Sequence, residues 1–194
     1  MKEKLAALVA DAFQDSEYFL PKIAMQDQLG LEVEVVSTTK EPIEIYSYFS
    51  RIGMLDVNKS IEEADPNDYI GVLVPGGAKS PALLAESPAI LRFIRKINDD
   101  RKLVASICRG SLLVAKSGII KGRHLTGFHL HDEFPDLVIK PVVEENGGIW
   151  SDDKPVVVDA NLVSSRHPND IDHFIGGIRQ WLSERSQVAA TANV

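Results

Sequence analysis

The chemistry of this 194-residue chain centres on its single cysteine. Cys108 follows the apolar run 103–107 and precedes Gly110, a pattern typical of a sharp turn from a strand into a helix. Ser106 and Gly110 are small enough for the backbone to fold back on itself at this turn. The N-terminus of the following helix would stabilise a thiolate, which predicts a thiol pKa lowered to roughly 3.5–7.5. The alternative interpretation is a buried cysteine that serves only the core.

Two further segments can supply groups to the same site. Gly76 and Gly77 follow another apolar run, and glycines allow the backbone to turn its N–H groups inward. We therefore expect this turn, with the backbone of Arg109, to bind a thiolate or a developing oxyanion. Glu17 lies just after the first predicted strand and would reach the tip of a neighbouring strand. The alternatives are a plain turn for the glycines and helix-dipole complementation for Glu17.

Two histidines are candidate bases for the cysteine. His129 and His131 follow a short strand-like segment at 124–126. Their spacing, with Asp132 and Glu133 adjacent, also resembles a metal site, but the chain offers no cysteine partner there and we expect no metal. Solvated loop histidines are the simpler interpretation. No other cofactor is expected.

The hydrophobic periodicity predicts the elements that position these residues. Strands are expected at 5–10, 32–37, 42–47, 54–57, 69–74, 103–107, 156–159 and 162–165, and helices at 16–29, 88–98, 110–117 and 169–183. This alternation predicts an α/β fold with a parallel sheet covered on both faces. In such sheets the site lies at the carboxyl ends of strands, here after Ala10, Val74 and Ile107. His167 is interpreted as part of a turn into the last helix.

Composition narrows the classes of function. Lys and Arg number 21 against 28 Asp and Glu, giving a net charge of −7 and a pI near 5.2. This argues against binding to nucleic acid or to an anionic membrane surface. No apolar run approaches the roughly 18 residues of a membrane span, and the first residues do not resemble a secretory signal. We therefore expect a cytoplasmic protein, with one domain over 1–184 and a disordered tail at 185–194.

Five segments, in order, resemble the DJ-1/PfpI (ThiJ) superfamily, which is related to class I glutamine amidotransferase domains. They lie at 15–21, 72–77, 104–110, 118–126 and 156–166. The resemblance implies a flavodoxin-like three-layer sandwich with a mainly parallel central sheet and Cys108 at the nucleophile elbow. It also implies that Glu17 hydrogen-bonds the sulfur, that Gly77 and the Arg109 backbone bind an anion, and that the chain forms a homodimer or larger homo-oligomer.

Two departures from the superfamily pattern argue against efficient peptidase activity. The peptidase-like branch has a histidine directly after the cysteine, where this chain has Arg109, which stays protonated and cannot act as a base. That branch also has a glutamate soon after Pro-Gly-Gly, and 78–83 contains none. In the DJ-1 branch a histidine corresponds to a place near Phe128, next to His129.

Three functions remain open at this point. We rank first a stress-response protein whose Cys108 is oxidised to sulfenate or sulfinate and held by Glu17 and the backbone amides. The fixed charge of Arg109 favours this interpretation, because it stabilises an anion and adds no base. The second is an enzyme, a hydrolase, amidase or glyoxalase-like protein, with Cys108 as nucleophile toward a small carbonyl or amide. The expected partner is accordingly a small electrophile or an oxidant. The third is a degenerate member retained as an interaction module.

Overall fold

A computed structural model describes residues 2–128 and 139–191. Its central sheet has seven strands in the described part of the chain. Their order across the sheet is β11 (Val156–Asp159), β12 (Leu162–Ser165), β8 (Leu103–Ile107), β7 (Gly71–Val74), β1 (Lys4–Leu8), β3 (Glu32–Ser37) and β6 (Lys59–Ser60). All neighbouring strands run parallel except β11 and β12, which form a hairpin. The expected mainly parallel sheet is confirmed.

Helices cover both faces of this sheet. They are α1 (Asp15–Leu29), α2 (Ser80–Ala85), α3 (Pro88–Asp99), α4 (Gly110–Lys116), α5 (Lys140–Glu145) and α6 (Ile171–Thr191). Side chains of β1 alternate between the two faces. Leu5 and Ala7 join the apolar cluster under α1 and α6, whereas Ala6 and Leu8 join the cluster under α3 and α4. The result is the three-layer sandwich that the resemblance implied.

The burial of both sheet faces explains the pattern of apolar residues in the strands and helices. A strand covered on both sides is apolar along its whole length, as β8 is, rather than alternating. The helix α3 instead buries only one stripe, formed by Ile90, Phe93, Ile94 and Ile97 at helical spacing. Because these two patterns differ, the main strands and helices could be predicted from the sequence.

Smaller sheets lie outside the central one. One consists of β2 (Phe13–Gln14), β4 (Ile43–Ser47) and β5 (Ser50–Leu55), and the other of β9 (His124–Leu125) and β10 (Ile149–Trp150). The strand predicted at 54–57 is therefore misplaced, because β5 begins at Ser50. The tight turn between β4 and β5 has Tyr48 at a positive φ of 53°, which the sequence pattern did not reveal.

The chain end also differs from the prediction of a disordered tail at 185–194. Helix α6 continues through 185–190 and ends at Thr191. No glycine or proline interrupts 178–191, and Gln and Ala in this stretch are good helix formers. Arg185 also forms an ion pair with Glu3, with Nη1 and Oε1 2.8 Å apart. Within the described residues, no helix is both long and apolar enough to cross a membrane.

Candidate functional site

The elbow at the end of β8 places Cys108 in a constrained backbone conformation. Its φ is 57°, in the left-handed region that non-glycine residues rarely adopt. The Cys108 N–H donates to the Ser165 carbonyl at 2.9 Å, and the Cys108 carbonyl accepts from the Phe128 N–H at 3.1 Å. Such a conformation costs on the order of 1–3 kcal/mol and persists only where surrounding contacts hold it. The two backbone hydrogen bonds are contacts of this kind.

Small residues beside the cysteine are required by close packing. A Cβ added at Gly110 would lie 2.1 Å from the Val74 carbonyl oxygen, so β7 leaves no room for a side chain there. Ser106 is fully buried, and its hydroxyl lies 3.0 Å from that of Ser111 in α4. The helix therefore begins directly against the ends of β7 and β8, and the elbow cannot be relaxed without moving the sheet.

Glu17 reaches the cysteine from the first turn of α1. Its side chain is 2% exposed, and its carboxyl hydrogen-bonds the Cys108 side chain. The Gly76 N–H donates to Glu17 Oε2 at 2.7 Å. The helix-dipole interpretation of Glu17 therefore does not describe its contacts. The Gly76 N–H, which we expected to bind an anion, therefore donates to Glu17 instead.

The environment of Glu17 favours its protonated form. Burial raises the pKa of the Glu17 carboxyl to about 8, although hydrogen bonds from Cys108 and Gly76 act in the opposite direction. Burial disfavours a charged carboxylate because the surrounding protein solvates it less well than water does. At neutral pH the site therefore holds a carboxylic acid in contact with the sulfur.

The prediction of a lowered thiol pKa is wrong. Burial raises the pKa of the Cys108 thiol, and the charge and hydrogen bond of Glu17 raise it further. The Arg109 N–H donates to the sulfur and, with the Arg109 charge, opposes this shift without reversing it. The sequence pattern indicated the helix N-terminus correctly but could not show how deeply the sulfur is buried. Cys108 and Glu17 contact each other and therefore titrate as a coupled pair.

The Arg109 side chain lies along the Pro-Gly-Gly turn. Its Nη1 donates to the Gly77 carbonyl at 3.1 Å and also to the Ala78 carbonyl. Arg109 is 8% exposed, and its Nε is buried without a hydrogen-bond partner. Gly77 has a φ of +107°, and a Cβ there would lie 2.4 Å from the Ala12 carbonyl oxygen. The turn thus needs glycine, and its carbonyls hold the guanidinium beside the elbow.

A pocket with a volume of about 70 Å³ opens over the sulfur. Because a water molecule needs roughly 10–15 Å³ by this measure, the pocket has room for about five to seven water-sized groups. Tyr48 and Phe49, at the β4–β5 turn, lie at its rim and are 62% and 60% exposed. The residues that line it are Gln14, Glu17, Tyr48, Phe49, Gly77, Ala78, Cys108, Arg109, Phe128, His167 and Pro168.

His167 is the lining residue with acid–base capacity that the sequence analysis missed. It follows β12, which pairs in parallel with β8 so that Ser165 lies opposite Ile107. This register brings His167 to the same sheet edge as Cys108. Its Nδ1 accepts from the Asn169 N–H at 3.2 Å, so a neutral imidazole carries its proton on Nε2. The signal was its position after a strand, which becomes informative only once the strand order is known.

The two histidines predicted as bases, His129 and His131, lie outside the described residues. Their segment follows Phe128, which lines the pocket. Among residues 2–128 and 139–191, no group of three or more His, Cys, Asp or Glu side chains is arranged to hold a metal ion. Of the residues that the sequence placed in the site, the structure brings together Cys108, Glu17, Gly76, Gly77 and Arg109.

Comparison with known proteins identifies the family. The family model for the DJ-1/PfpI family matches residues 3–180. The chain belongs to the DJ-1/PfpI family. Among its relatives, a deglycase of Thermococcus kodakarensis is 32% identical over 168 residues, which cover 87% of this chain and 92% of that protein. Protein/nucleic acid deglycase 2 of Escherichia coli is 31% identical over 177 residues, covering 90% and 94%.

Solved structures of DJ-1/PfpI proteins share the fold. DJ-1beta of Drosophila melanogaster superposes with a TM-score of 0.78 at 25% sequence identity, covering 100% of this chain and 97% of that one. The match therefore extends over the central sheet and its helices.

Proposed function

We propose that this DJ-1/PfpI protein is an enzyme that adds the Cys108 thiol to small aldehydes and converts 2-oxoaldehydes into 2-hydroxy acids. The contact between Glu17 and Cys108 is the observation that carries the proposal. It places an acid that is protonated at neutral pH against a nucleophilic sulfur. The small pocket favours small substrates, and relatives named deglycases support chemistry at carbonyl compounds.

The first step is addition of the thiol to the aldehyde. The sulfur forms a bond to the carbonyl carbon, and the carbonyl oxygen takes the proton of Glu17. The thiol proton passes to Glu17, which ends the step as it began, and the product is a hemithioacetal. Because the proton transfers accompany bond formation, the step needs no resting thiolate. A raised thiol pKa is therefore compatible with this reaction.

The following steps conserve the oxidation level of the whole molecule. A proton moves from the former aldehyde carbon to the neighbouring carbonyl carbon, and the hydroxyl proton of the hemithioacetal moves to the oxygen of that carbonyl. The product is a thioester of the 2-hydroxy acid. Water then cleaves the thioester and releases the acid and the free thiol. The aldehyde carbon is oxidised while its neighbour is reduced, so no outside oxidant is required. The Arg109 N–H, which contacts the sulfur, would stabilise negative charge on the reacting oxygen.

Turnover of methylglyoxal tests the proposal. Wild-type protein should produce lactate, followed by proton NMR, and Cys108→Ala should lose at least about a thousandfold in rate because the nucleophile is gone. Ile52→Ala is a suitable control, since Ile52 is 57% exposed and does not line the pocket. Absence of lactate with the wild type, or equal rates with Cys108→Ala, would contradict the enzyme.

A second candidate function is oxidation of Cys108. The hydrogen bonds of the sulfur to Glu17 and to the Arg109 amide would also stabilise a sulfinate. One peroxide converts the thiol to sulfenic acid and water, and a second gives sulfinic acid and water. The raised thiol pKa argues for slow oxidation, because the thiolate is the reacting form. Mass spectrometry after graded peroxide treatment should then show Cys108 oxidised no faster than a free thiol.

A further inference from the structure

Arg109 is a buried cation without a carboxylate partner among the residues the structure describes. The residue is 8% exposed, and no ion pair joins it to Asp or Glu within 2–128 and 139–191. Its described acceptors are the backbone carbonyls of Gly77 and Ala78. Buried charges are usually paired, because an unpaired charge loses its hydration without compensation.

One edge of the Arg109 guanidinium has no hydrogen-bond acceptor among the described residues. Both described hydrogen bonds use Nη1, and Nε is buried with no partner. Nη2 likewise donates to none of the described residues. The edge formed by Nε and Nη2 is one that binds a carboxylate through two parallel hydrogen bonds. An anion beside Arg109 would therefore compensate both the charge and the missing acceptors.

Arg109 lines the same pocket as the reactive sulfur. Glu17, the carboxyl in this pocket, is protonated at neutral pH because burial raises its pKa to about 8. It therefore does not neutralise the guanidinium in the resting site. Apart from His167, the other described side chains that line the pocket carry no charge. The local field consequently favours an anionic ligand.

We propose that the preferred substrates are small carbonyl compounds with a carboxylate close to the carbonyl, which pairs with Arg109 while Cys108 attacks the carbonyl carbon. This deepens the proposed function, because it rests on Cys108 as the nucleophile. The two residues are adjacent in the chain and line the same small pocket, so we expect the acidic group to lie within a few atoms of the carbonyl. Arginine suits this role better than lysine, because its planar guanidinium can form two parallel hydrogen bonds with a carboxylate.

Two alkylating reagents of nearly equal size separate charge from reactivity. Iodoacetate carries a carboxylate next to the carbon attacked by sulfur, whereas iodoacetamide carries a neutral amide. The ratio of their second-order rate constants cancels the thiolate fraction, because the same thiol reacts with both. For Cys108 we expect this ratio to exceed that of free cysteine in the same buffer by at least about tenfold, as for a pairing of 1.4 kcal/mol.

Matched arginine variants locate the effect. Arg109→Gln should return the ratio to that of free cysteine, and Arg109→Lys should keep part of the preference. Arg51→Gln removes the same charge from an exposed position, where Arg51 pairs with Glu44 at 3.3 Å, and should leave the ratio unchanged. If Arg109→Gln does not fold, the wild type still gives an answer: propionate should protect Cys108 from iodoacetamide at lower concentration than propionamide.

The outcomes separate this inference from the proposed function. A wild-type ratio equal to that of free cysteine, with equal protection by propionate and propionamide, overturns the carboxylate preference. A high ratio that survives Arg109→Gln assigns the preference to another group and overturns the role of Arg109. A high ratio that depends on Arg109, in a protein that forms no lactate from methylglyoxal, supports the carboxylate site and contradicts only the 2-oxoaldehyde reaction.

Discussion

The base and the rim of the pocket are built differently. At the base, Cys108 and Glu17 are 7% and 2% exposed and rest on the ends of the central sheet. At the rim, Tyr48 and Phe49 are 62% and 60% exposed and belong to the turn of a separate small sheet. We therefore expect changes at the base to disturb both folding and the proposed chemistry, and changes at the rim to affect only substrate access and selectivity.

One residue connects the two regions. Gln14 accepts from the Tyr48 N–H through Oε1 at 2.8 Å, and its Nε2 donates to Asp15 at the start of α1. Gln14 is 5% exposed and lies three residues before Glu17. The position of the rim turn is thus tied to the helix that carries the Glu17 carboxyl.

Replacement of Glu17, whose carboxyl lies at the bottom of the pocket, should have the largest effect on activity. Glu17→Gln keeps an acceptor for the Gly76 amide but cannot relay a proton, so lactate formation should fall by about 10²–10⁴-fold. The same variant removes a charge that raises the thiol pKa, so the pH profile of Cys108 alkylation should move to lower pH. An unchanged rate and an unchanged alkylation profile would remove Glu17 from the reaction.

The buried carboxyl should also make stability depend on pH. Between its unfolded pKa near 4.3 and its folded pKa of about 8, Glu17 holds a proton that the unfolded chain has released. The unfolding free energy contributed by this group therefore falls as pH rises through that range. Relative to Glu17→Gln, the wild type should lose a few kcal/mol between pH 5 and pH 8 in urea denaturation. Parallel stability curves for the two proteins would contradict the raised pKa.

A methyl group at the elbow tests how tightly the base is packed. Gly110→Ala should lower the unfolding free energy by about 3 kcal/mol, because the added Cβ meets the Val74 carbonyl at 2.1 Å. Gly176→Ala is the matched control, since no atom lies within 4 Å of its added Cβ. In helix α6 this control should be neutral or stabilising by up to about 1 kcal/mol. Equal effects of the two changes would show that the elbow has room to relax.

A rim substitution should act on substrate binding. Phe49→Ala should raise KM by about fivefold to tenfold through lost apolar contact, with kcat within about twofold. Its stability should change by less than about 0.5 kcal/mol, as for an exposed residue. Ile52→Ala on the neighbouring strand provides the comparison, and steady-state kinetics measures both. A fall in kcat as large as that of Glu17→Gln would mean that rim and base are not separable.

The smallest expected effect concerns proteolysis. Wild-type protein should not cleave casein, and Arg109→His should not create cleavage, because 78–83 supplies no carboxylate to orient a new histidine. Release of acid-soluble peptides measures this. Casein cleavage by the wild type that depends on Cys108 would mean that a group in the pocket acts as a general base. The variant His167→Ala would then test whether His167 is that base.

Much of the fold was predictable because its signals are local. The strands β3, β8, β11 and β12 were predicted with their observed bounds, since apolar runs bounded by turn residues need no knowledge of distant segments. Strand β4 was predicted to within one residue, but β5 was placed four residues too late, because the turn before it depends on a positive φ at Tyr48. The end of α6 was missed because polar, small residues resemble a tail as much as an exposed helix.

The sequence by itself determined the position of Cys108 at an elbow beside small residues and glycines, because adjacent residues impose these features on one another. Only the tertiary structure decided the strand order that brings His167 to Cys108 and the use of the Gly76 amide by Glu17. It also decided the direction of the thiol pKa. Burial and a neighbouring carboxyl, which come from segments far apart in the chain, outweigh the helix N-terminus that the local pattern correctly indicated.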